Sequence, residues 1–305
     1  MAGTVLSILD AFCDRINQPR ESSYVGSTQP AARQFVSLLK FIGNEILIEN
    51  SEGWYNLKRT YVFTTVTGQS LYQLPGDYHQ LLAGTQWSVT NQYPLSGPLS
   101  NASIAFRTYG VAGIGIFTGF QLNGPNGYIV STSPYTKKSQ GYFQISPPGQ
   151  NDTDQNIIAY IASNFIWPRD WVATTAYSLG DVRTGIANMY ICTTAGTSGT
   201  TRPSVTTGTE ADGSVVWTVY HEPYTLANDA DFCLFDTELM IEGMRWAWYR
   251  AKKQDYIQER TDWQNSLRSA IGRQNGGTVI VNAGNEYGGP WPNVPFGSWS
   301  GVGDV

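Results

Sequence analysis

Charge is scarce in this sequence. Asp, Glu, Lys and Arg make up 14% of its 305 residues, against a usual quarter. What charge there is leans acidic, to a formal net of −5 with no basic tract. That excludes an electrostatic grip on nucleic acid, although an acidic lining would let DNA pass without sticking. Histidine is limited to His79 and His221, far apart and without metal-ligand spacing, so both are expected in structural roles. The three cysteines, Cys13, Cys192 and Cys233, are an odd, scattered set without CxxC. They predict no disulfide framework, only reduced, partly buried thiols of cytosolic folding. No run approaches a membrane span. The opening MAGTVLSILDAFCDRIN carries Asp10 and Asp14 inside its apolar pattern, so it is expected to be no secretory signal.

Catalytic signatures are equally thin. There is no GxSxG, HExxH or P-loop, and GVAGIG at 110–115 lacks the strand–turn–helix setting of a dinucleotide site. Two acid pairs, Asp152 with Asp154 and Asp229 with Asp231, have the residue types of glycoside hydrolysis. Both fall in turns, where Asp bonds locally, and the turn reading is the stronger one. The expectation is no enzyme, no cofactor and no metal.

Aromatic residues and glycine are plentiful: 13% aromatics with ten Trp, and 32 Gly. Long Ser/Thr/Asn/Gln stretches join them, predicting β-rich structure with many turns and a surface that is polar without being ionic. Such a surface suits permanent packing against neighbouring subunits. Residues 3–17 repeat apolar positions at helical spacing, and Pro30 opens a second helix through AARQFVSLLKFIGNEILIEN, with Phe35, Leu38, Leu39, Ile42, Ile46 and Ile48 along one side. From Trp54 the pattern alternates. RTYVFTTV and QSLYQLP predict a hairpin turning at Thr67-Gly68-Gln69, and a second hairpin is expected from strands 142–146 and 156–166.

Residues 168–224 read as a separate small β module, with Trp171, Tyr177, Tyr190 and Trp217 as its candidate core. A module under about sixty residues needs such rings inside. The alternative puts Trp171, Tyr190 and Trp217 outside, stacked on sugar faces. The tail, 276–305, holds Pro290, Pro292 and Pro295 with Trp291, Phe296 and Trp299, a composition that builds no core of its own.

One stretch dominates the rest. DTELMIEGMRWAWYRAKKQDYIQERTDWQNSLRSAIGR, Asp236 to Arg273, has no proline and a single interior glycine before its end, Gly243. Asp236 is an acceptable N-cap, acid sits early and base late, and Gly276-Gly277 supplies a stop. Roughly 37 residues would make a rod of about 55 Å. Its first half, Leu239 to Ala251, is expected to pack on the β-rich body. Its second half carries Asp255, Glu259, Arg260, Asp262, Trp263 and Arg268 as a subunit-interface face. The fold class predicted is α+β. N-terminal helices and this long helix pack on antiparallel hairpins (1–167 with 225–275), the β module is inserted at 168–224, and an extended tail follows.

In that order the elements resemble the head-to-tail adaptor (connector) proteins of short-tailed phages, the group that includes tail-tubular-A-like proteins. The motifs are the N-terminal helices, GQSLYQLPGDYHQLL, the hairpin ending IIAYIASNFI, and the acid-led helix. They cover 1–167 and 225–292, moderately specific motifs that are weak singly and persuasive in sequence. The segment 168–224 departs from the family pattern. Its AYSLGD, MYICTTAGTSGTTRP and DGSVVW resemble carbohydrate-binding-like or immunoglobulin-like modules of phage structural proteins. The resemblance implies a virion neck protein made in the host cytoplasm, in a ring of about twelve copies. Its implied partners are the portal protein, the tail nozzle and tail fibres, with DNA passing unbound and no membrane contact. Carried onto this chain, it makes Trp291, Phe296 and Trp299 the portal-docking rings. The competing class is a glycan-binding tail spike or fibre component.

Overall fold

The computed structural model describes residues 3–50, 53–82, 84–100, 103, 119–123, 142–146, 148–186 and 188–274. The architecture is α+β. Helix α1 (Val5–Arg15) starts at Thr4, whose hydroxyl accepts from the Ser7 amide, and buries Val5, Ile8, Leu9, Phe12 and Cys13. Helix α2 (Pro30–Glu49) opens on Pro30 and buries Phe35, Leu39, Ile42 and Ile46. Ile48, expected on that inner side, is 69% exposed, because it falls one position past the buried stripe.

The single long helix is not formed. Helix α3 (Thr237–Ala251) begins under Asp236, whose carboxylate accepts from the amides of Glu238 and Leu239. It ends at Lys252–Lys253, with Lys253 in the left-handed region at φ 58°. Helix α4 (Ile257–Gln274) then starts afresh, with the Asp255 carboxylate accepting from the Ile257 amide. It folds back along α3: the Trp263 indole donates to the Leu239 carbonyl at 3.2 Å, and the rings of Trp246 and Trp263 lie 5.6 Å apart. The early half of the stretch therefore packs on α1 and α2 rather than on the β-rich body. Phe35 is the pivot, 5.4 Å from both Phe12 and Trp248. Each such ring contributes about 1.5–3 kcal/mol by leaving water.

The strands begin with β1 (Gly3–Thr4). After α2 come β2 (Lys58–Thr64), β3 (Leu71–Gln73), β4 (Tyr78–Leu81), β5 (Trp87–Ser88), β6 (Tyr93–Pro94) and β7 (Gly119–Asn123). Then follow β8 (Tyr142–Ser146), β9 (Gln155–Ala162) and β10 (Ile166–Trp167). Within 168–224 lie β11 (Ala176–Tyr177), β12 (Val182–Thr184), β13 (Met189–Thr194), β14 (Gly196–Thr197), β15 (Thr209–Asp212) and β16 (Val215–Tyr220), and β17 (Phe232–Cys233) precedes α3.

Neither predicted hairpin exists. Strand β2 pairs with β9, from Lys58 opposite Ile161 to Thr64 opposite Gln155, while β3 pairs with β8. Strands β8 and β9 also sit in different sheets: β8 joins β3 and β7, and β9 is shared by β2, β4 and β5. The two sheets close over a second core of Phe63, Tyr72, Phe120, Phe143, Ile145 and Ile158. A third sheet, β1–β17–β10, ties the start of the chain to both flanks of 168–224. The strands of 168–224 pair only with one another, in the order β12–β13–β16–β15 with β11–β14 beside them. Their cluster centres on Trp217, with Tyr177 edge-on at 4.9 Å.

Gly243 shows how closely α3 is held. A Cβ there would come within 2.5 Å of Ile42 Cγ2 and 2.8 Å of Trp263 Nε1. Gly243→Ala is expected to lower unfolding stability by about 1–3 kcal/mol through overpacking, although Ala favours helix by about 1 kcal/mol. Denaturant unfolding measures it, and unchanged or higher stability would contradict this close approach.

Candidate functional site

The most concentrated polar chemistry lies where 168–224 rejoins the body. Arg59 on β2 sits directly opposite Tyr160 on β9, and Asp77 follows the Leu74-Pro75-Gly76 turn before β4. Arg59 Nη1 donates to Asp77 Oδ2 at 2.6 Å, with both side chains essentially excluded from solvent. The Tyr160 hydroxyl lies 2.7 Å from Asp77 Oδ1 as donor and 3.1 Å from His221 Nδ1. Arg59 also reaches the Tyr220 carbonyl and lies 4.8 Å over the Trp167 ring.

Burial raises the Asp77 carboxyl to about 6, with Arg59 pulling the other way. Burial, with the Arg59 charge second, depresses His221 to about 4, so the imidazole is neutral at pH 7. Asp, Tyr and His in series have the residue types of a proton relay. Here the carboxylate and guanidinium are sealed, and the relay joins β2, β4, β9 and the strand leaving the module. It acts as a fastening. The sequence held one signal for it: Arg59 stands in phase with inward-facing Phe63 along β2, and a charge on an inward face needs a buried partner.

The acid pairs are structural acceptors. Asp229 takes hydrogen bonds from the Ser23 hydroxyl at 2.6 Å and from the amides of Tyr24 and Val25. Asp231, fully buried, takes four, from the amides of Arg169, Ala227 and Asn228 and from the Tyr224 hydroxyl, at 2.9–3.0 Å. Asp152 accepts from the Thr67 amide and Asp154 from the Asn91 amide group. Among the described residues no group of His, Cys, Asp and Glu could hold a metal ion. The three thiols are free and buried, and burial pushes Cys233 up to about 12.

The rings considered for sugar stacking are mostly out of reach. Tyr190 and Trp217 are fully buried, because a module this small needs its large rings, Tyr177 among them, to build a core. Trp171 is half-buried, its indole donating to Asp212 at 2.8 Å. Of the α4 residues assigned to an interface, Trp263 is a core residue against α3, which removes it from that surface. Asp255 caps α4, Asp262 accepts from Gln258 at 2.8 Å, and Arg260 lies over the Trp246 ring. Those three and Arg268 are exposed and Glu259 is half-buried. Trp291, Phe296 and Trp299 lie outside the described residues, as does GVAGIG.

Among the described residues no helix is long and apolar enough to cross a membrane. No protein-family model matches the chain, and no curated protein matches it either.

His221 gives this fastening a measurable signature. Its folded pKa lies below its unfolded one, so its stabilisation is present at neutral pH. That stabilisation is lost as pH falls from 6.5 towards 4. Asp77 has the opposite sign, its folded pKa lying above the unfolded one, and the two largely offset each other. His221→Gln is therefore expected to gain on wild type by about 3 kcal/mol between pH 7 and pH 4. Parallel unfolding curves at the two pH values test this, and a constant difference would contradict it.

Proposed function

We propose that this chain is a structural virion protein, the subunit of an adaptor ring of about twelve copies between the portal and the tail nozzle of a short-tailed phage. In this role it extends the channel through which DNA passes unbound. The observation that carries the proposal is the outer helix α4. It is held to its own subunit through Trp263, Leu267 and Ala270, and its remaining length presents unburied charge. A helix so lightly anchored and so polar suits a wall completed by a neighbour. The buried polar groups support the same view, because they fasten segments together instead of converging on a cleft. The resemblance of element order to head-to-tail adaptors supplies the partners: portal, nozzle and tail fibres.

A glycan-binding spike or fibre component would need aromatic faces open to solvent. Tyr190 and Trp217 offer none.

Native mass of the purified protein is the direct test. The expected particle is about twelve times the 33.6 kDa chain, and a stable monomer or trimer would overturn the proposal. The tail has its own test. Removing 285–305 is expected to leave ring mass unchanged and abolish attachment to portal, through loss of Trp291, Phe296 and Trp299. Prolines among them lower the chain entropy lost on docking. Normal attachment by the truncated chain would refute that role.

A further inference from the structure

A small cleft opens between α2 and α4. Glu45 and Glu49 form one wall and Arg260 and Arg268 the other, over a floor of Trp246 and Trp263, enclosing about 90 Å³. Among the described residues none of these four charges is engaged in an ion pair. The Trp246 indole N–H is buried without a partner. Phe41, whose ring lies 6.1 Å from that of Trp246, and Ile48 stand on the same α2 line as Glu45, 40% and 69% exposed. Acid, base and exposed apolar side chains thus lie side by side, Arg260 over the Trp246 ring and the four charges without an ion pair among the described residues.

The turn between α3 and α4 presents the matching set. Lys253 projects from a left-handed position, Asp255 follows, and Ile257 is 70% exposed at the first position of α4. Base, acid and apolar knob stand within five residues of one another.

We propose that the α2–α4 cleft seats the α3–α4 turn of a second copy of this chain. Lys253 then faces Glu45 and Glu49, Asp255 faces Arg268, and Ile257 covers Phe41 and Ile48. Because cleft and turn are different surfaces, the contact is heterologous and repeats from copy to copy, closing into a ring when the rotation allows. Complementary charge sets register and rejects wrong partners more than it adds affinity, and the apolar contact supplies the affinity. The inference shares with the ring proposal only the premise of self-association, and it names the surfaces.

The test is native mass and dissociation on dilution for wild type, Glu45→Lys with Glu49→Lys, Lys253→Glu, the three changes combined, and Ile257→Ser, with folding checked by circular dichroism. Each separate charge reversal and Ile257→Ser is expected to weaken association about tenfold or more. The combined chain is expected to regain it, since its cleft and turn again carry opposite charge. If wild type assembles and Ile257→Ser and Lys253→Glu assemble equally well, this contact is refuted while the ring proposal stands. A combined chain that stays dissociated refutes the charge pairing. Wild type that is monomeric at every concentration refutes both.

Discussion

The short strap from Asn228 to Cys233 is the constraint on which the arrangement of this chain depends. The carbonyls of Asp229 and Asp231 accept from the amides of Leu6 and Val5, satisfying first-turn donors that α1 leaves open. The Asp229 carboxylate gathers the link before α2, and β17 pairs on one edge with β1 and on the other with β10. Asp231 grips Arg169 on one side of the inserted module and Tyr224 on the other. A buried carboxylate is costly unless its lone pairs are filled, and four donors fill them here. Losing it would leave four part-buried donors without their acceptor, each at a cost below the about 1–3 kcal/mol of a fully buried one. One strap therefore sets the N-terminus, both ends of the module and the approach to α3.

The Arg59–Asp77 pair holds the module's exit a second time, through the Tyr220 carbonyl. Buried ion pairs are weak contributors to net stability but severe when half-removed. Their effect is to make wrong arrangements expensive. Two fastenings on one module oppose its swinging freely.

How much of this was legible in the sequence divides along a physical line. Helices α1 and α2 follow from local periodicity and caps, and the buried aromatics of 168–224 follow from how little else that stretch could bury. The expected hairpins do not form because these strands, neighbours in sequence, are not neighbours in the sheets. Strand β9 draws β2 from a hundred residues upstream, and its register is set by inward-facing side chains that no local pattern connects. The break between α3 and α4 was written in the charges. Arg250, Lys252 and Lys253 are a basic helix end, and Asp255 with Glu259 is an acidic helix start. Over the whole stretch the early acid and late base mimic a single dipole, and the boundary in the middle holds neither glycine nor proline to mark it. Arg59 was visible as a residue and its partners were not, since Asp77, Tyr160 and His221 come from three distant segments.

The unequal anchoring of α3 and α4 is what connects the fold with the proposed assembly. Helix α3 is gripped from three sides, closely enough that Gly243 has no room for a methyl group. Helix α4 is about as long, yet only one narrow stripe of it is buried. An isolated helix of this length is marginal in water, so α4 owes its persistence to Trp263, Leu267 and Ala270. Its outer turns are the part of the helical layer with most stability still to gain from a neighbour. Ordering there costs least, because the helix is already formed, and each contact added falls on a preformed surface. The charges of α4 would in that setting select the neighbour, while the buried stripe keeps the helix in place to be met.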